Sequence, residues 1–219
     1  MWTRVAVAAI LSVLAGSGSG HAEGVFLDGV VAQVDGAVVT ASDVALGRAL
    51  GLFGLTPSTG PVAAAEIQQY VDGQLLVREA ARIGVEERPV DQVEAWTAVA
   101  QRAGGEGALT RWLTLADVEV GWARRLVGDD LRMRRFVELR FRALAFIPEA
   151  DVAAALGPGP HDEGAREAMR ARLEAEAAGR RLAEWLVEAR ARASISLHVA
   201  KFGHVPNPLP GLPSVVGDP

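Results

Sequence analysis

The residues that could do chemistry are few and widely spaced. The chain has four histidines and no cysteine, so thiol catalysis and cysteine metal sites are unavailable. His161, His198 and His204 have no helical i, i+4 partner of the kind that a zinc site on one helix face needs. We therefore predict no metal ligands and no bound cofactor.

Serine, glycine and carboxylate patterns also indicate no enzyme. No serine lies in a G-x-S-x-G context, the turn that presents a nucleophile in many hydrolases. The glycines of residues 24–36 do not form a G-x-G-x-x-G leading into a helix. The pairs Glu86-Glu87 and Asp129-Asp130 are adjacent in sequence, which favours solvated surfaces over a shared acid-base cleft. We predict no catalytic residues.

Four tryptophans are more informative. Trp96, Trp112, Trp122 and Trp185 each lie on the apolar stripe of a predicted helix. One interpretation is that they anchor the core, as large buried aromatics do. The other is that one or two of them line a groove for apolar peptide segments. Both interpretations can hold for different residues, so these four are the candidate peptide-binding residues.

The first 22 residues have the pattern of a secretory signal peptide. Arg4 supplies a positive charge, residues 5–14 form an apolar run too short to span a bilayer, and Gly20-His21-Ala22 is a small-x-small cleavage site. We expect cleavage near Ala22, export, and no integral membrane segment in the rest of the chain. Retention of this segment as a membrane anchor is the alternative.

The composition predicts a folded, acidic domain. Half of the residues are apolar and the formal net charge is −5. The apolar content is enough for a real core. The acidic balance argues against a nucleic-acid partner, because nucleic-acid binding needs a clustered basic face.

The first elements are predicted to be a β-hairpin followed by a helix. Two β-branched runs at residues 30–34 and 37–40 flank Asp35-Gly36, a dipeptide typical of two-residue hairpin turns. Thr40 and Asp43 have the spacing of a capping box. The helix that they start is expected to carry Val44, Leu50 and Phe53.

Further helices are predicted from apolar periodicity and from proline and glycine positions. Gly84 has the position of a C-terminal cap, Pro89 begins the next helix, and Thr114-x-x-Asp117 reads as a second capping box. The predicted helices cover residues 61–83, 89–103, about 109–113, about 114–142, 149–156 and 163–193.

The end of the chain is predicted to return to its beginning. Ile195, Leu197 and Val199 alternate with polar residues, which is the period of a half-buried strand. A lone terminal strand needs a partner, and the N-terminal hairpin can supply it. The predicted fold is mainly α, a helical bundle around a small antiparallel sheet. It forms one domain over residues 23–199, followed by a proline-rich tail at 200–219.

The order of these elements resembles the SurA-type periplasmic chaperones. The similar segments are the hairpin and first helix (Val30 to Val44), the helix Val71 to Val85, the segment Phe136 to Leu156, and the closing helix and strand (Arg181 to Val199). In that family an N-terminal helical region (here 25–156) and a C-terminal helix and strand (here 163–199) form one core. Parvulin-type prolyl isomerase domains are inserted between the two parts.

This chain differs from the family at the insertion point, where residues 157–162 are too few for an isomerase. The resemblance therefore implies an ATP-independent periplasmic holdase, binding unfolded or outer-membrane-bound polypeptides without isomerase activity. The alternative is an envelope interaction protein that docks one dedicated partner. A prolyl isomerase is the least favoured hypothesis.

Overall fold

A computed structural model describes residues 28–198 of the chain. The predicted signal peptide at 1–22, Val199 and the predicted tail at 200–219 lie outside the described residues. The elements are β1 (Val30–Val34), β2 (Ala37–Thr40), α1 (Ala41–Ala49), α2 (Ala64–Arg82), α3 (Pro89–Arg102), α4 (Glu106–Leu115), α5 (Val120–Val137), a π-helical turn (Glu138–Arg142), α6 (Glu149–Leu156), α7 (Glu163–Arg192) and β3 (Ile195–Leu197).

The three strands form one antiparallel sheet in the order β2-β1-β3. The hairpin turns at Asp35 and Gly36, which both have positive φ. Asp35 also holds the start of β3 in place. Its amide donates to Ser194 O at 2.8 Å, and its carboxylate accepts from Ser194 N at 2.7 Å. The predicted fold class is confirmed: a mainly α domain whose small sheet joins the first hairpin to the last strand.

Helix α1 begins as predicted but ends early. Thr40 and Asp43 form the capping box, with Thr40 N donating to Asp43 Oδ2 at 2.9 Å and Asp43 N donating to Thr40 Oγ1 at 3.2 Å. Leu50 is the C-terminal cap of α1, and Phe53 lies beyond it with a φ of 54°. The prediction that this helix carries Phe53 is therefore wrong. The apolar spacing continues past the end of the helix because Phe53, which follows the turn, is also buried.

The second predicted capping box is also wrong. Thr114 lies inside α4, where its hydroxyl donates to Thr110 O at 3.0 Å. Asp117 adopts a φ of 53° in the following turn, and α5 begins only after Glu119. A threonine inside a helix can satisfy its hydroxyl by donating to a carbonyl of the preceding turn. The Thr-x-x-Asp pattern alone therefore does not mark a helix start.

The core joins the sheet to α2, α5 and α7. Phe136 on α5 and Phe141 in the π-helical turn both pack edge-on against Trp185 of α7, with centroid distances of 5.8 and 6.2 Å. Residues five apart lie on different faces of a regular α-helix. The π-helical turn, closed by Ala143 N donating to Glu138 O at 2.9 Å, brings both rings to the same neighbour.

The loop between α1 and α2 is anchored by two buried charged residues. Arg48 donates to Gly60 O at 2.6 Å and pairs with Glu66 at 3.1 Å. Asp130 of α5 accepts the Phe53 amide proton at 2.7 Å and pairs with Arg134. We call this loop, residues 50–62, together with Arg48 and Asp130, the anchored loop. Within residues 28–198, no helix has the combination of length and apolar character that crossing a membrane requires.

Candidate functional site

The structure places the four candidate tryptophans mainly in the core. Trp96, Trp112 and Trp185 are buried, with 7%, 4% and 9% of their surface exposed. Trp122 is partly buried and packs against the core. The four indoles do not converge on one site, since Trp185 packs with Phe136 and Phe141 whereas Trp96 packs beneath Arg124 of α5.

A large groove lies instead between α2, α3, α5 and α7. Its volume is about 970 Å³, at the upper end of the range of ligand pockets. Apolar side chains from all four helices form its floor. They are Leu76, Ala95, Met133, Val137, Leu182 and Leu186.

The floor is only partly covered by the rest of the protein. Leu76 is buried, whereas Met133, Val137, Leu182 and Leu186 are half-buried and pack against the core from one side. An apolar segment that filled the groove would remove the exposed part of these side chains from water. Burial of apolar surface stabilises a complex by roughly 25 cal/mol per Å² before the entropic cost of association.

The rim of the groove is charged, and most of its charges are paired. Asp91 of α3 receives two hydrogen bonds from Arg88, at 2.5 and 2.8 Å, and a third from Arg135 of α5 at 3.3 Å. The pair with Arg135 ties α3 to α5 across the groove. The hydrogen bonds from Arg88 hold the pKa of the Asp91 carboxyl below its usual range. The carboxylate therefore stays ionised at neutral pH.

A second ion pair holds α7 along the groove. Arg190 of α7 donates from Nε to Asp72 of α2 at 2.7 Å, and its second nitrogen also contacts the Asp72 carboxylate. This fork-to-fork contact fixes the two helices at one end. It positions Leu182 and Leu186, two turns and one turn earlier on α7, as part of the floor.

One wall of the groove depends on a glycine. At Gly73 of α2, a Cβ would lie 2.7 Å from Phe53 Cδ1, so only glycine lets the loop approach the helix this closely. Phe53 also packs on Tyr70 of α2 with a centroid distance of 5.0 Å. The anchored loop thus forms one wall of the groove.

The groove has the composition of a binding surface. Among residues 28–198 there is no group of three His, Cys, Asp or Glu side chains that could hold a metal ion. The apolar floor and charge-paired rim can take an apolar polypeptide segment, while rim side chains remain available to its backbone.

The prediction from sequence missed the lining of this groove. Leu182, Trp185 and Leu186 follow one helical spacing in the sequence, which predicts a single apolar stripe on the last helix. The structure divides that stripe, since Trp185 enters the core and the two leucines border the groove. The sequence periodicity cannot distinguish the core residue from the groove residues, because both follow the same helical spacing.

No model of a known protein family matches the chain, and no curated protein matches it significantly.

Proposed function

We propose that this protein is an ATP-independent chaperone, a holdase that binds apolar segments of unfolded or partly folded polypeptides without isomerising prolines. The observation that carries the proposal is the groove of about 970 Å³, floored by half-buried aliphatic side chains. A concave, mainly apolar groove of this volume with polar groups at its rim is the usual form of a binding site.

The fold supports the chaperone interpretation. The hairpin and the closing strand, more than 150 residues apart in sequence, pair in one sheet, and α7 packs on α2. This arrangement agrees with the architecture implied by the resemblance to SurA-type chaperones. Only residues 157–162 separate α6 from α7, which supports a chaperone module without an inserted isomerase domain.

We further propose that the protein works in the periplasm on envelope proteins, including outer-membrane proteins. The support is the signal-like sequence of residues 1–22 and the resemblance to periplasmic chaperones. The acidic net charge of −5 would help to keep complexes with apolar clients in solution.

Aggregation of a urea-denatured outer-membrane β-barrel protein tests the proposal. We expect the chain that begins at Glu23 to slow the rise in light scattering after dilution, and Leu186→Gln to lose most of this effect. Val187→Gln is the matched control, because Val187 is the next residue of the same helix, is 64% exposed and lies outside the groove lining. Circular dichroism and the unfolding midpoint check that both variants fold.

Two outcomes would contradict the proposal. One is no suppression of aggregation at several-fold molar excess of the wild-type chain. The other is equal loss of suppression in the Leu186 and Val187 variants. A pulldown that returns one stoichiometric partner instead of a mixed client set would favour the dedicated-partner alternative. Acceleration of a proline-limited refolding reaction would reinstate the isomerase hypothesis, since uncatalysed isomerisation takes tens to hundreds of seconds.

A further inference from the structure

The groove offers an extended polypeptide no strand edge to pair with. Its lining comes from α2, α3, α5, α7, the π-helical turn, Phe53 and Gly54, and β1, β2 and β3 contribute no residue to it. Helical backbone groups are already paired within their own helix. An extended occupant therefore finds few partners for its backbone N–H groups. This favours an occupant that carries few of them.

The charges of the lining balance, and most of its carboxylates are already paired. The lining holds four arginines and four carboxylates. Three of the carboxylates form ion pairs: Asp72 with Arg190, Asp91 with Arg88, and Glu138 with Arg142. A charged occupant would have to compete with these pairs or leave its own charge unpaired against an apolar floor. The lining therefore complements an uncharged, apolar segment.

The chain itself contains such a segment beyond the described residues. Residues 202–217 include no Asp, Glu, Lys or Arg. Within this stretch, residues 206–216 include four prolines, which have no backbone N–H to satisfy. We call residues 206–216 the proline segment.

The apolar residues of the proline segment have a period of three. Proline-rich sequences favour the polyproline II conformation, which has three residues per turn. Pro206, Leu209, Leu212 and Val215 recur at this spacing, so they share one face in that conformation. The pattern predicts an apolar stripe that can lie along a groove.

The proline segment is long enough to reach the groove of its own chain. Twenty-one residues follow His198 in the sequence, and when extended they span up to about 70 Å. A domain of the size of residues 28–198 has a radius of gyration of about 16 Å and hence a diameter of about 40 Å. The segment starts from the sheet, where His198 N donates to Val31 O at 2.9 Å.

We propose that the proline segment occupies the groove of its own chain when no client is bound, and that a client has to displace it. This rests on the proposed role of the groove as a site for polypeptide segments. The stripe of Pro206, Leu209, Leu212 and Val215 faces the aliphatic floor and removes its exposed part from water. The apparent affinity for a client is lowered in proportion to the fraction of chains whose groove is free.

A nitroxide spin label tests this contact in the chain that begins at Glu23. The sequence has no cysteine, so Ser214→Cys provides a single attachment point off the apolar stripe. We expect the label to broaden the methyl resonances of Met133, Leu182 and Leu186 more strongly than those of Leu115, which is 82% exposed on α4 and lies outside the groove lining. No selective broadening of the groove methyl groups would overturn the proposal.

Two double variants test the stripe. Leu209→Gln/Leu212→Gln removes two apolar side chains from the stripe and should abolish the broadening. Val205→Gln/Val216→Gln makes the same change of polarity at two positions off the stripe and should retain it. An equal response of the two double variants would contradict the assignment of the stripe to the floor.

A mixed sample distinguishes the segment of the same chain from that of a second copy. It contains isotope-labelled chains without the nitroxide and nitroxide-labelled chains without the isotope, at equal concentrations. We expect the groove methyl groups to stay sharp in this sample. Broadening as strong as in the chain that carries both labels would place a second copy in the groove and overturn the proposal.

A synthetic peptide of residues 203–217 measures the competition. Leu209→Gln/Leu212→Gln should bind this peptide roughly threefold or more tightly than the wild type, because its own segment no longer occupies the groove. Isothermal titration calorimetry gives both affinities. Equal affinities would contradict occupancy of the groove by the proline segment.

The result is distinguishable from failure of the holdase function. If the wild type suppresses aggregation but the nitroxide does not broaden the groove resonances, the assignment of the proline segment alone is wrong. If the broadening occurs but no aggregation is suppressed, the contact of the proline segment stands and the holdase proposal fails.

Discussion

The anchored loop and the rim of the groove use the same chemistry for different purposes. In the anchored loop, Arg48 is 2% exposed and binds Glu66 and the carbonyls of Gly60 and Pro61. At the rim of the groove, Arg88 is exposed and shares Asp91 with Arg135. Both are arginine–carboxylate contacts, but only the first has a buried arginine that also binds backbone groups.

This difference indicates which contacts maintain the fold and which maintain the binding surface. A buried arginine that satisfies a carboxylate and backbone carbonyls cannot be removed without leaving those groups unpaired. Exposed ion pairs contribute about 0–1 kcal/mol each, so the rim can change while the fold persists. Stability and client binding should therefore respond to different substitutions.

The largest expected effect is at Arg48. Arg48→Met should lower the free energy of unfolding by about 3 kcal/mol, because Glu66 and the carbonyl oxygens of Gly60 and Pro61 lose their donor. The estimate is at the lower end for a broken buried pair, since the Glu66 side chain is 20% exposed. Equilibrium unfolding in urea measures the change.

Arg180→Met is the control for Arg48→Met. Arg180 is exposed on α7, so its replacement should change the free energy of unfolding by about 0.5 kcal/mol or less. If the two variants were equally stable, the anchored loop would not depend on Arg48, and the contrast between the anchored loop and the groove rim would be lost.

A smaller effect is expected where the anchored loop meets the groove. Gly73→Ala would place a methyl group 2.7 Å from Phe53 Cδ1, and relief of this clash should cost about 1–3 kcal/mol. Because Phe53 lines the groove, the variant should also alter client binding. Thermal unfolding and aggregation suppression measure the two effects.

Gly179→Ala provides the matched substitution in α7. No atom lies within 4 Å of the position that its Cβ would take, so the change should stabilise the protein by about 0.5–1 kcal/mol through helix propensity. Opposite signs for the two glycine variants are expected. Destabilisation by both would show that the crowding at Phe53 does not explain the effect at Gly73.

The sequence predicted the elements of this fold better than their surfaces. Pro89, Gly84 and the Thr40–Asp43 capping box marked helix ends correctly because each acts locally on the backbone. The pairing of β3 with the hairpin was also predictable, since a terminal strand needs a partner.

The groove was not predictable from the sequence, for a physical reason. Leu182 and Trp185 follow the same helical period, yet one borders the groove and the other enters the core. The side of α7 that stays open is decided by tertiary contacts such as Arg190–Asp72, which joins residues 118 positions apart. The π-helical turn that places Phe141 on Trp185 likewise breaks the regular period.

The smallest expected effect is a difference in titration between a buried aspartate and an aspartate at the groove rim. Burial raises the pKa of the Asp43 carboxyl at the start of α1, whereas the hydrogen bonds from Arg88 lower the pKa of Asp91 at the rim. Carboxyl ¹³C shifts followed from pH 7 downward should show Asp43 titrating above the usual range for aspartate and Asp91 below it.

The two shifts have opposite consequences for stability. For Asp43 the folded state binds the proton more readily than the unfolded state, so its contribution to stability falls as the pH rises from the usual pKa through the raised one. For Asp91 the contribution is present above the usual pKa and is lost as the pH falls through the lowered one. In the wild type, acidification should therefore increase the contribution of Asp43 to stability and decrease that of Asp91. Asp43→Asn should remove the increase, and Asp91→Asn should remove the decrease. Titration of both carboxyls on the same side of the usual value would mean that burial at Asp43 and ion pairing at Asp91 do not have these opposite effects.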